Sequence, residues 1–210
     1  MWAATGQLKQ AIIRVGEGRG FVVERKSGRC VITAAHCLPW LPPCCACSHL
    51  EERTYHRLLG LLGDHLMFAA ECIFADPVSD IAVLANPDSQ AFAEDAEAYE
   101  ALMENTGSLR IDDMPDEAEA HLLSLDGQWI SACASKRGGG IWLSNIRGGS
   151  IEGGMSGSPI VIGDAAVGVV CVGGGATGEP QTEGGPNRGS TAICRSDYSR
   201  SFAAKKNNKV

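Results

Sequence analysis

Apolar positions along the chain fall into short alternating runs broken by glycine, proline and acidic turns, the pattern of many short strands. Residues 10–15 (QAIIRV) and 18–25 (GRGFVVER) predict the first two strands, and Lys26-Ser27-Gly28 turns the chain into a third at residues 30–33. Residues 53–62 and 65–75 predict two more, and in Asp80-Ile81-Ala82-Val83-Leu84 an acidic residue enters a sixth. A second set follows at residues 121–125, 128–134, 141–146, 158–162, 166–172 and 190–194, with Gly163-Asp164 as a hairpin turn. Only residues 89–105 carry a strong helical period. There Phe92, Ala96, Tyr99 and Met103 recur on one face, and Gly107 stands where a helix stops.

Composition sharpens this picture. The 210 residues fit one compact unit or two small six-stranded barrels, and 26 glycines suit tight turns between strands. The net charge of −7 is unevenly spread: residues 86–126 carry −11 and the rest of the chain +4. Neither value supports nucleic-acid binding, since no basic stripe with interleaved aromatics is present. The basic Lys205-Lys206-Asn207-Asn208-Lys209 reads as a solvated end. No run approaches the roughly 18 apolar residues of a membrane span, and the first residues lack a secretory pattern. Within residues 38–50, three prolines predict an irregular loop. Its Cys44 and Cys47 have zinc-ligand spacing with His49 nearby, but no second pair follows; the alternative is a loop of free thiols, and no cofactor is expected.

Three stretches carry candidate chemistry. In Gly153-Gly154-Met155-Ser156-Gly157-Ser158-Pro159 a serine is flanked by glycines, which let the backbone approach a substrate closely. Thr33-Ala34-Ala35-His36-Cys37 ends the third strand with a histidine. Asp76 and Asp80 compete as its carboxylate partner, and the apolar run after Asp80 favours the latter. The order His36, Asp80, Ser156 is base, orienter, nucleophile. On these motifs the chain resembles the trypsin-like serine peptidases of the chymotrypsin fold, nearest the short bacterial forms that act inside the cell.

The resemblance implies an all-β fold of two packed six-stranded antiparallel Greek-key barrels joined by one acidic helix. Residues 1–86 would carry His36 and Asp80, residues 87–120 the acidic helical connection, and residues 121–210 Ser156. The backbone N–H groups of Gly154 and Ser156 would form an oxyanion hole, each donor lowering the barrier by about 2.7–4 kcal/mol. Ser150 would sit at the base of the specificity pocket, and Cys171, Val172 and Gly173 would pair with the substrate backbone. Met155 departs from the family: secreted digestive relatives have an aspartate there that accepts a newly cut N-terminus, so activation by such cleavage is not expected. The disulfide of animal relatives beside the histidine would need a partner near residue 21, which is Phe21, and with nine cysteines in all a reducing, cytoplasmic setting is expected.

The expected function is therefore a serine endopeptidase acting on protein or peptide substrates, restrained until a regulatory protein partner acts, with no nucleic acid or membrane involved. The alternative is a latent trypsin-like domain used as a binding or scaffold module.

Overall fold

A computed structural model describes residues 5–26, 28–43, 49–138, 140–171 and 193–194. The first half is a closed six-stranded barrel, as the alternation predicts. Its strands are β1 (Ile12–Val15), β2 (Gly18–Arg25), β3 (Gly28–Thr33), β4 (Thr54–Gly60), β5 (Phe68–Asp76) and β6 (Ile81–Ala85). They pair in the order β1-β2-β3-β6-β5-β4, and β1 returns to β4 to close the ring. Closure leaves no open edge, and the apolar alternate positions, Ile13, Val15, Val22, Val31, Leu59 and Leu84 among them, are fully buried.

The N-terminal boundary differs from expectation. Gln10 ends a short helix, α1 (Thr5–Gln10), because Leu8 buries its side chain and Gln10 presents its carbonyl to the Gly107 N–H at 3.1 Å. Among its described residues, the loop after β3 holds a 3₁₀ turn at Ala35–Cys37 and a four-residue helix, α2 (Leu50–Arg53).

The acidic helix α3 (Ala93–Glu104) begins four residues later than its period suggests. Asp88 caps a turn before it, accepting from the N–H groups of Gln90 and Ala91. Its buried face is Ala96, Tyr99, Leu102 and Met103. The expectation that this helix lies across both barrels is corrected by its contacts, which are with the first barrel. Tyr99 donates to the Arg29 carbonyl at 3.2 Å, the Arg29 guanidinium donates to the carbonyls of Met103 and Thr106, and His56 pairs with Asp95 at 3.1 Å. What crosses the junction is the extended stretch after it, β7 (Arg110–Ile111) with its neighbours. Leu109 bridges to Val23 of the first barrel, while Arg110 and Ile111 pair in parallel with Ala165 and Ala166 of the second half. Backbone pairing holds this connection, and two residues are too few to show any apolar period.

The second half is one sheet built from β7, β8 (Glu117–Leu123), β9 (Trp129–Arg137), β10 (Gly140–Arg147), β11 (Pro159–Ile162), β12 (Ala165–Val169) and β13 (Ile193–Cys194). The order is β13-β10-β9-β8-β11-β12-β7, antiparallel except where β7 joins. Six strands match the expected second set in place, and β7 is an addition to it. Among the described residues no helix is long and apolar enough to cross a membrane.

Candidate active site

His36 sits in the 3₁₀ turn immediately after β3, and Asp80 at the end of the turn between β5 and β6. Since β3 and β6 are hydrogen-bonded neighbours, Thr33 opposite Ala82, barrel pairing itself brings the two together. The Asp80 carbonyl accepts from Ala35 N–H at 3.1 Å. Its carboxylate accepts from His36 N–H at 2.9 Å with one oxygen and from Nδ1–H at 2.6 Å with the other. This grip fixes the proton on Nδ1 and leaves Nε2 as the basic nitrogen. Asp80 adopts a left-handed backbone, φ +54°, which aspartate tolerates better than most side chains. Asp76 instead caps its own turn, accepting from Val78 and Ser79 N–H groups at 2.9 and 3.1 Å.

Ser156 belongs to the segment between β10 and β11, in the other half of the molecule. Gly154 and Gly157 take φ values of +91° and +82°, conformations in which a side chain would be strained. Met155 between them is fully buried and accepts from Glu152 N–H with its sulfur. The N–H of Met155 goes to the Glu152 carbonyl, that of Gly157 to Val170 and that of Ser158 to Met155. Among the described residues, the N–H groups of Gly154 and Ser156 have no acceptor, so two donors two residues apart stay available. That pair of free donors is what a developing oxyanion requires.

The Ser156 segment is seated on the first barrel. Arg19 N–H donates to the Ser156 carbonyl at 2.7 Å. A Cβ placed on Gly18 would lie 2.6 Å from both that carbonyl and the Cys37 sulfur, so β2 is wedged between the serine segment and the residue following His36. A Cβ on Gly157 would come within 1.8 Å of the Arg19 carbonyl and 2.6 Å of Thr33 Oγ1. Behind the pair, the buried Cys171 thiol faces the Asp80 carbonyl at 3.5 Å. His36 is exposed and Ser156 half-buried, and among the described residues no hydrogen bond joins them. Such a bond commonly tightens only when substrate arrives. A cleft of about 380 Å³ opens beside Gly154, walled by Glu17, Gly18 and Arg19 from one half and Leu125 from the other.

A second thiol adjoins the site. Burial, with a smaller contribution from the charge of Asp80, pushes Cys37 up to about 11, so it stays a neutral thiol near pH 7.

The remaining candidates fall out differently. Ser150 is exposed and donates its hydroxyl to Glu152 at 2.8 Å. His49 is exposed and precedes α2, where Glu52 accepts its N–H at 2.8 Å. Cys44, Cys47, Val172 and Gly173 lie outside the described residues. Arg19, Gly18 and Thr33 were not singled out by sequence reading. The run Gly-Arg-Gly in β2 was the available signal, since two glycines around an arginine on a strand mark close backbone approach.

No family model and no curated protein matches the chain. Solved structures do. The chain is similar to the serine protease domain of the Sesbania mosaic virus polyprotein, at 12% identity over 96% of this chain and 94% of that one, with a TM-score of 0.56. It is similar also to kallikrein-related peptidase 10, at 14% identity over 97% of each chain and a TM-score of 0.56. A third is the MamO protease domain from Magnetospirillum magneticum, at 12% identity over 96% of this chain and 98% of that one, with a TM-score of 0.55. At such identities the likeness is one of fold, and the fold is that of the chymotrypsin-type serine proteases.

Proposed function

We propose that the protein is a serine endopeptidase that cleaves protein or peptide substrates through an acyl-enzyme on Ser156. The observation that carries this reading is the seating of the Ser156 segment, with two unclaimed N–H groups, against the barrel whose His36 and Asp80 are joined by two hydrogen bonds. In the first step the Ser156 oxygen bonds to the scissile carbonyl carbon while its proton passes to His36 Nε2. Asp80 stabilises the imidazolium, and Gly154 and Ser156 N–H groups receive the oxyanion. Collapse of that intermediate breaks the peptide bond, and His36 returns the proton to the leaving amine. Water, activated by the same histidine, then hydrolyses the ester.

Substrate would lie in extended form along the chain at Cys171, Val172 and Gly173, with Ser150 near the residue before the scissile bond, as in the fold's proteases. A cytoplasmic, reducing setting belongs to the same reading, in which the thiols of Cys30, Cys37, Cys72 and Cys133 are unbridged among the described residues. Met155 leaves an activating N-terminus no carboxylate to pair with, so restraint by a partner protein belongs to the same reading.

The test is covalent labelling with a fluorophosphonate, in which the serine oxygen bonds to phosphorus and fluoride leaves. The wild-type chain should be labelled at Ser156 and should cleave a peptide library. Ser156→Ala should lose both, and His36→Ala should fall to a similar floor because triad members act as a unit. A folded wild-type chain that is neither labelled nor active in cell extract points instead to a latent module.

A further inference from the structure

The two parts of the proposed site come from different halves of the fold, and the residue that binds both is Arg19. Its N–H donates to the Ser156 carbonyl at 2.7 Å. Its own carbonyl accepts from Thr33 Oγ1 at 2.7 Å, three residues before His36, and is the atom on which Gly157 packs. Its guanidinium then leaves the first barrel and donates to the carbonyls of Leu123 at 2.5 Å and Ser124 at 3.0 Å, where β8 ends. One residue thus ties the nucleophile's peptide, the base's strand and the opposite sheet.

The arginine is out of place as packing alone. It is only 6% exposed, and among the described residues no carboxylate pairs with it, although Glu17 and Asp126 line the same cleft. Burying a cation without a counter-charge is destabilising, and an apolar side chain of similar length would fill the junction without that penalty. Burial lowers the guanidinium's proton affinity, yet arginine stays charged where lysine would not. Its planar fork also spans two adjacent carbonyls in one fixed direction, which a flexible ammonium cannot do. Arg29 is the internal contrast. It too donates to two carbonyls, those of Met103 and Thr106, but these bonds hold α3 on the first barrel, away from Ser156.

We propose that Arg19 is a positioning residue: it sets the Ser156 segment in register with the His36–Asp80 pair and thereby governs the acylation rate. This rests on the serine endopeptidase reading above. Misplacement of reacting groups by about 1 Å costs up to about 100-fold in rate.

The experiment compares Arg19→Met, Arg19→Lys and Arg29→Met in the full chain. The fluorophosphonate labelling rate is measured per folded molecule, together with amide exchange across residues 155–158. Arg19→Met should slow labelling by about 10- to 100-fold and speed exchange of the Gly157 amide, with Arg19→Lys intermediate. Arg29→Met should lower the melting temperature without changing either readout. Labelling by Arg19→Met within twofold of wild type, or equal slowing by Arg29→Met, overturns the proposal. If Arg19→Met does not fold, Arg19→Lys alone decides, since a lysine matching wild type in both readouts is equally fatal. A wild-type chain that resists labelling removes the endopeptidase reading instead; exchange then judges Arg19, and unchanged protection in its variants counts against it.

Discussion

The halves of the molecule hold their parts of the site by different means. The first barrel is closed, and it fixes His36 and Asp80 through adjacent strands and side-chain hydrogen bonds. The second half carries Ser156 on a segment of left-handed glycines, positioned by backbone contacts borrowed from the first barrel. His36 and Asp80 are therefore preorganised within one unit, whereas Ser156 is placed by docking of one unit on the other. Damage to the first should change the chemistry while leaving the fold; damage to the second should change both.

The largest effect on rate should come from Asp80→Asn. The amide keeps an oxygen for His36 N–H but favours the wrong tautomer of the ring, and an aspartate-to-asparagine change in such a pair lowers kcat by about 10⁴-fold. Urea unfolding should shift little, because the barrel strands do not depend on the charge. Steady-state kinetics on any cleaved peptide provides the check, and a loss below tenfold would remove Asp80 from the orienting role.

The same contrast explains what sequence could give. The barrel strands were legible because alternate residues such as Ile13, Val22, Val31 and Leu84 face a closed core, which leaves a period of two in the chain. His36, Asp80 and Ser156 were legible as motifs in order. The joining of Ser156 to the other two was not, since it runs through the backbone atoms of Gly18, Arg19 and Gly157, whose contacts depend on which strands lie opposite. The helix was found, but its seat was misjudged. Tyr99 and Met103 mark a buried face without saying what buries it; the bonds of α3 with Arg29 and His56 identify the first barrel as its partner. Likewise β7 is two residues of exposed backbone pairing, with no side-chain pattern to betray it.

Glycine substitutions test the docking directly. At Gly163, φ is +63° and a Cβ would meet nothing within 4 Å, so Gly163→Ala should cost only the left-handed penalty of about 1–2 kcal/mol. At Gly157, φ is +82° and the Cβ would fall 1.8 Å from the Arg19 carbonyl, an immovable backbone atom. Gly157→Ala should therefore cost about 4 kcal/mol or more and abolish labelling of Ser156. Urea midpoints at constant slope measure both variants. Equal costs at the two positions would mean that the serine segment is not seated on β2.

The smallest effect separates the halves by their thiols. Cys37, 5% exposed behind His36, is raised by burial from an ordinary 9.0 to about 11. Below pH 9 the thiol is protonated in both folded and unfolded chains and contributes no pH dependence. Between 9 and 11 the unfolded chain releases the proton while the folded chain retains it, so the folded state loses stability as pH rises. At 1.36 kcal/mol per unit this amounts to about 2–3 kcal/mol by pH 11. Cys37→Ala removes that loss, so the stability gap between wild type and variant should move in favour of the variant by about that amount from pH 8 to pH 11. On the second sheet, the Cys133 thiol is also raised, by its hydrogen bond to Glu117, but it is half-exposed and such interactions are screened there. Cys133→Ala should leave the alkaline slope almost unaltered. Denaturant titrations at each pH give the slopes, and a Cys37 slope as flat as that of Cys133 would show that water reaches the wall behind His36.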